Sequence, residues 1–238
     1  MTELHNLKHE EFRVRQAGAT TLPRASALRV NIDAPCGARH KRAFDVVLAS
    51  LSIVILSPLL IGLAVAIRLS DGGPAFFGHS RVGYSGVPFN CWKFRSMRPN
   101  SEALLDEYLL ANPIAARQWQ NHRKLRHDPR VTPLGRILRK YSVDELPQLF
   151  NILAGEMSFV GPRPIEAAEL EKFGLSLRHY LRARPGLTGL WQVSGRSSLD
   201  YQRRVVLDRY YVMHWSLLLD VMLIFKTVPV AMGARGAY

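Results

Sequence analysis

The 238-residue chain has little cysteine, a deficit of acid and none of the signatures of several common catalytic machines. Cys36 and Cys91 are its two thiols. They form no Cys-x-x-Cys pair and are too few for a disulfide framework, which excludes a disulfide-stapled scaffold and fits a reducing compartment or a redox-indifferent protein. The eight histidines include no His-Glu-x-x-His, and His122 and His127 stand five apart, so no zinc site is expected. A Gly-x-x-x-x-Gly-Lys loop is missing, which argues against a P-loop NTPase. The absence of Asp-x-Asp weakens a conventional metal-dependent glycosyltransferase, and no serine has a Gly-x-Ser-x-Gly context. The polar opening, Met1 to Phe12, shows no secretory signal. Acid is scarce relative to base, with 19 Asp and Glu against 32 Lys and Arg, a net charge of +13. Such a balance favours anionic partners: nucleic acid, acidic headgroups or phosphate-bearing substrates. No recognised nucleic-acid motif accompanies Lys93-Phe94-Arg95 or Arg123-Lys124-Leu125-Arg126, so nucleic acid is not an expected partner.

What the chain does have is one long apolar run. Val46 to Ile67 carries no charge and, as a helix, is long enough to cross a hydrocarbon core of about 30 Å. A single spanning helix is the simplest reading. Two features oppose it. Pro58 removes a backbone donor in mid-segment, with Ser57 beside it able to satisfy a freed carbonyl. Basic residues also lie on both flanks: Arg39, Lys41 and Arg42 before, and a strongly basic region after. Positive charge prefers the cytoplasmic side. A helix that enters, bends at Ser57-Pro58 and returns meets both demands, with Lys41 and Arg42 at the membrane interface. The expected organisation is a disordered tail over 1–38, a re-entrant membrane helix hairpin over 39–69, and a catalytic domain over 70–238 facing the cytoplasm.

Beyond the apolar run the patterns are mixed, and the expected fold class is α+β, helix-rich, with short strands and interfacial helices. Ala75 to Met97 predicts two strands about a Gly-containing turn. Ser101–Ala111, Pro113–Arg126 and Thr132–Tyr141 predict helices, the last opened by Thr132-Pro133. Asp144–Leu153, Ile165–Phe173, Leu175–Leu181 and Asp200–Met213 also read as helical. Arg184 to Arg196 reads as a loop with a strand-like middle. Trp215–Met232 is mostly apolar without a clean polar face, so it suits either a core helix or one lying in the membrane interface beside Tyr210, Tyr211 and Trp215.

Asp144 and Glu145 stand out because base surrounds them: Arg126, Arg130, Arg136, Arg139 and Lys140 before, Arg163 after. Adjacent carboxylates amid arginines suit a site that holds a divalent metal and a phosphorylated substrate together. Ser142-Val143-Asp144-Glu145 also matches a capping box. Pro147 favours a helix starting at or near Asp144, where its missing N–H costs little and the acids sit at the helix mouth. Arg81, Arg163, Arg184 and Arg196 lie beside glycines or prolines. A guanidinium on a rigid turn makes a well-aimed phosphate clamp; any one alone reads first as a solvated surface residue, and it is several together that raise phosphate binding to an equal reading.

These residues carry a resemblance. The chain resembles the bacterial sugar transferases, the monotopic polyprenol-phosphate phosphoglycosyl transferases. Matching stretches run in the family's order from residue 41 to about 230. They include Lys41-Arg42-Ala43-Phe44-Asp45, Ser57-Pro58, Arg81-Val82-Gly83, Lys93-Phe94-Arg95-Ser96-Met97, Asp128-Pro129-Arg130-Val131-Thr132, Asp144-Glu145-Leu146-Pro147-Gln148-Leu149, Gly161-Pro162-Arg163-Pro164, Arg184-Pro185-Gly186-Leu187-Thr188-Gly189 and Gly195-Arg196. Within the family, the Asp71-Gly72-Gly73 turn, His79 and the ending Arg235-Gly236-Ala237-Tyr238 are similar to enzymes that start exopolysaccharide synthesis with galactose 1-phosphate. Val143, Phe159 and Ser197 depart from the family's common residues, and Ser197 bears on the donor sugar.

The resemblance implies an enzyme of the bacterial inner membrane that transfers a sugar 1-phosphate, most simply galactose 1-phosphate, from a UDP-sugar to undecaprenyl phosphate. Asp144 would be the nucleophile of a covalent aspartyl-phosphosugar intermediate, with UMP released. Mg²⁺ would be the cofactor, held at Asp144 and Glu145; Glu145 would otherwise accept the acceptor's proton. Arg81, Lys93, Arg95, Arg163, Arg184 and Arg196 would bind substrate phosphate. Membrane lipids are expected partners, and a homo-oligomer stays open. The rival from a different class is a non-catalytic membrane-anchored scaffold with a basic lipid-binding face, which needs the anchor but not Asp144 and Glu145.

Overall fold

The computed structural model describes residues 34–122, 125, 127–195 and 199–232. Residues 1–33 of the tail expected over 1–38, most of the basic run Arg123 to Arg126, Arg196, Ser197 and the ending after 232 lie outside the described residues. The fold is helix-rich α+β, with one long apolar helix and two small sheets.

Helix α1 spans Ala38–Asp71, 34 residues. At 1.5 Å per residue it is about 50 Å long. The expected break at Ser57-Pro58 is absent, and the helix continues through Pro58 as one element. The cause is local. Pro58 cannot donate to the carbonyl of Val54, and Ser57 Oγ donates to that same oxygen at 2.8 Å. The lost ladder bond is thereby replaced.

Both ends of α1 grip the rest of the protein. Near its start, Lys41 pairs with Asp220 at 2.6 Å, with side chains 4% and 0% exposed. Tyr211 Oη and Trp215 Nε1 donate to the same carboxylate. Asp45 Oδ1 accepts from Ser158 Oγ and Phe159 N, each at 3.0 Å. Near its end, Leu60 and Ile67 pack with Phe94 and Leu138, and Asp71 pairs with Arg95. Lys41 was expected at the membrane interface; instead it is a buried structural cation. Removing one partner from such a pair costs about 3–5 kcal/mol, because the other charge stays buried.

Strands β1 (Phe76–Val82) and β2 (Pro88–Phe94) form the expected antiparallel hairpin, with Phe77 opposite Lys93, His79 opposite Cys91 and Arg81 opposite Phe89. Helices α2 (Ser101–Ala111) and α3 (Pro113–His122) follow. Helix α4 (Pro133–Lys140) is capped as its sequence predicts, with Gly135 N donating to Thr132 Oγ1 at 2.9 Å. A Cβ on Gly135 would lie 2.1 Å from Ser96 O, so only glycine lets α4 approach the chain after β2.

A 3₁₀ turn at Val143–Glu145 precedes α5 (Gln148–Ala154). Strand β3 (Ser158–Val160) pairs in parallel with β4 (Gly186–Thr188). Between them, the α-helix expected over Ile165–Phe173 is a 3₁₀ segment at Ala167–Ser176, followed by the one-turn α6 (Leu177–Leu181). Helix α7 (Leu190–Val193) was not anticipated. Helix α8 (Tyr201–Met213) is capped by Asp200, and α9 (Leu217–Met232) closes the described chain. The main core joins α1, β2, α5, β3, α8 and α9 through Ala49, Cys91, Leu149, Ile152, Val160, Tyr211 and Leu223.

Candidate active site

The acid pair occupies a turn that the sequence forces. Ser142 takes a left-handed backbone (φ 56°, ψ 22°) and its side chain makes no cap hydrogen bond. An N-cap needs an extended backbone, so Ser142 does not close a capping box; it reverses the chain after α4. Asp144 and Glu145 fall in the 3₁₀ turn. Helix α5 begins three residues after Glu145 instead of at Asp144, with Pro147 at its cap position, where no N–H is required.

Asp144 is 8% exposed. Burial raises its pKa above the usual carboxylate value, the neighbouring charge of Glu145 raises it further, and Lys93 and Arg139 pull it back. Glu145 Oε1 accepts from Lys93 Nζ at 2.6 Å. Burial opposes the charge on Lys93, but the charge and hydrogen bond of Glu145, with Asp144 behind it, outweigh burial and hold the lysine pKa above its ordinary value. Arg139 is fixed by its Nε, which donates to Ser96 Oγ at 2.8 Å. The site is therefore a buried acid, a second acid beside it, and two cations facing them. A carboxylate that pays for burial beside another carboxylate gains from any further cation.

The structure thus brings together Asp144, Glu145 and Lys93, and adds Arg139, which sequence reasoning left in the surrounding basic run. The other expected phosphate binders among the described residues each have partners of their own. Arg81 pairs with Glu166 at 2.8 Å. Arg95 pairs with Asp71. Arg163 lies over the Trp191 ring at 5.6 Å, and its backbone N donates to buried Asp208. Arg184 Nε donates to Gly155 O at 2.8 Å. Arg42, expected at the membrane interface with Lys41, donates to Ile152 O and Leu153 O, so its guanidinium closes the C-terminal end of α5. A groove of about 530 Å³ opens beside the end of α1, lined by Ser70, Asp71, Arg98, Asn100, Thr132 and Leu134.

Asn151 was overlooked. It is 1% exposed, accepts from Trp92 N at 2.9 Å and donates to Asn90 O at 2.7 Å and Glu156 Oε2 at 2.6 Å. Its signal in the sequence was an amide inside the apolar run Leu149 to Leu153.

Comparison with known proteins gives one consistent result. The sequence model of the family described as bacterial sugar transferase matches residues 37–234. The chain is 50% identical over 204 residues to the exopolysaccharide production protein ExoY of Sinorhizobium fredii, covering 86% of this chain and 90% of that one. It is 51% identical over 198 residues to the undecaprenyl-phosphate galactose phosphotransferase of Salmonella typhimurium, covering 83% of this chain and 41% of that longer protein. It is 48% identical over 198 residues to the UDP-galactose-lipid carrier transferase of Erwinia amylovora, again covering 83% and 41%.

The electrostatics of the acid pair yield a pH prediction. If ionised Asp144 is the reacting form, the rate falls as pH drops through its raised pKa. Lys93 lowers that pKa, so Lys93→Met raises it. The acid limb of the pH–rate profile is then expected at higher pH than in the parent. An acid limb that stays in place removes Lys93 from the electrostatics of Asp144.

Proposed function

The chain belongs to the bacterial sugar transferase family, and from that membership we propose that it moves galactose 1-phosphate from UDP-galactose to undecaprenyl phosphate, the first step of an exopolysaccharide. Two relatives about half identical to the chain are named for galactose transfer, which favours that donor. The observation that carries the mechanism is the buried Asp144 carboxylate facing Lys93 and Arg139. In the first step an Asp144 oxygen bonds to the sugar-bearing phosphorus. The bond from that phosphorus to the bridging oxygen breaks, and UMP leaves with it. In the second step an oxygen of undecaprenyl phosphate bonds to the same phosphorus and frees Asp144. Lys93 and Arg139 hold positive charge against the phosphoryl oxygens throughout.

Mg²⁺ fits this donor set. Asp144 and Glu145 are two adjacent carboxylates, and among the described residues no group of three or more His, Cys, Asp or Glu gathers to cage a metal. Mg²⁺ is commonly held by one or two carboxylates with substrate phosphates and water completing its shell. Bound there, it would neutralise the donor's diphosphate.

The membrane reading rests on α1. Its most apolar 18-residue window has a mean hydropathy of 2.6 and is only 11% buried, which is not the environment of a core helix. Val47, Val54, Ile61 and Leu69 on α1, and Leu218 and Phe225 on α9, are exposed. We propose monotopic attachment to the inner membrane. The outer face of α1 enters the bilayer, α9 lies in the interface, and both ends of α1 stay on the cytoplasmic side. The support is that residues at both ends grip one catalytic domain, which a crossing helix of this length would separate.

Two tests follow. Membranes carrying the protein, given UDP-galactose and Mg²⁺, should release UMP with lipid-linked sugar phosphate; Asp144→Asn should lower that rate by roughly 10³-fold or more. Release of UDP, or an unimpaired Asp144→Asn variant, refutes the covalent route. For topology, Ala34→Cys and Asn100→Cys, each with Cys36 and Cys91 replaced by serine, should both resist an impermeant thiol reagent in intact cells and react after lysis. Opposite behaviour at the two positions restores a spanning helix.

A further inference from the structure

The face of the hairpin that carries Lys93 holds a second polar group that the transfer chemistry above does not use. His79 is the cross-strand partner of Cys91, so it stands diagonally across from Lys93, about 7–8 Å away between backbones. Its Nδ1 lies 3.1 Å from Arg81 Nη2 and its Nε2 lies 3.5 Å from Glu166 Oε1. Arg81 Nη1 reaches the same Glu166 oxygen at 2.8 Å. Glu166 is itself fixed by a reciprocal cap with Glu169 at the start of the 3₁₀ segment.

This arrangement fixes the hydrogen-bonding sense of each group. A guanidinium only donates, so His79 Nδ1 accepts and the ring hydrogen sits on Nε2. Partial burial and the charge of Arg81 lower the histidine pKa against the opposing pull of Glu166, which disfavours the protonated ring. Arg81 is mostly covered, its side chain 12% exposed, whereas the side chains of His79 and Glu166 are 43% and 46% exposed. Phe77 lies directly opposite Lys93 on the same face. It is 54% exposed, and its ring centroid is 6.0 Å from that of His79. An exposed aromatic ring beside an oriented donor and an oriented carboxylate matches a pyranose, which has an apolar face and adjacent hydroxyls.

We propose that Phe77, His79 and Glu166 form the subsite for the donor's sugar, with Phe77 under the ring and His79 and Glu166 reading its hydroxyls. The subsite rests on the transferase reading, in which the sugar's phosphate sits at Asp144 and Lys93. The diagonal backbone spacing of about 7–8 Å between Lys93 and His79 is of the size of one hexose. A site built to hydrogen-bond particular hydroxyls discriminates between epimers more strongly than a pocket defined by shape.

The test uses the full chain in membranes and compares UMP release from UDP-galactose and from its C4 epimer UDP-glucose, with UMP as a competing inhibitor that carries no sugar. His79→Phe keeps a ring but removes the donor, and Glu166→Gln keeps the shape but removes the charge. Each is expected to change the ratio of the two kcat/KM values by about tenfold or more, with inhibition by UMP unchanged. Should Glu166→Gln fold poorly, His79→Phe decides alone, because His79 is half exposed and caps nothing. An unchanged ratio in a folded variant overturns the subsite, as does a loss of UMP inhibition equal to the loss of donor use. A parent that uses and binds neither UDP-sugar overturns the transferase reading and the subsite with it. A parent that turns over while its variants keep the ratio overturns the subsite alone.

Discussion

The side-chain amide of Asn151 sets where the chemistry can happen. It occupies the free edge of β2 as a neighbouring strand would, accepting from Trp92 N and donating to Asn90 O. That contact pins α5 beside β2, one residue short of Lys93. The turn leading into α5 carries Asp144 and Glu145, so it is brought over Lys93, and the 2.6 Å ion pair follows. Each buried partner left unsatisfied without the amide would cost about 1–3 kcal/mol. The register of acid over base would be lost as well.

The same helix ties the site to α1. Arg42, in the first turns of α1, donates to the last carbonyls of α5, and Arg184 donates to Gly155 just beyond. The favoured cation at a helix C-terminus is thus supplied by the long apolar helix. The other end of α1 holds the hairpin through Asp71 and Arg95. Both halves of the acid–base site, α5 with its turn and β2 with Lys93, are therefore fixed relative to one helix. A polyprenyl phosphate is confined to the membrane surface, so this coupling would set the height of Asp144 against the acceptor.

Local signals in the sequence were reliable where structure is local. Thr132 and Asp200 cap helices, the Gly-containing turn makes a hairpin, and Pro113 opens α3. Acid amid base drew attention to residues 144 and 145, and the fold sets Glu145 against Lys93. Long-range partners were not legible. Lys41 reads as a membrane flank because Asp220 lies 179 positions away. Lys93 is expected to bind phosphate, but its pairing with Glu145, 52 positions away, is not visible in the sequence. The β3–β4 pair is too short for any period, and it depends on Gly186, where a Cβ would fall 2.1 Å from Gly161 N. Pro58 misled for a different reason: its usual cost is cancelled by the adjacent Ser57 hydroxyl.

The most direct measurement is the intact mass of the enzyme after brief mixing with UDP-galactose in the absence of lipid acceptor. A fraction of the protein is expected to gain the mass of one hexose phosphate, located at Asp144 by peptide mapping and discharged when undecaprenyl phosphate is added. Unmodified protein throughout, in a preparation that makes lipid-linked product once acceptor is present, contradicts the covalent route.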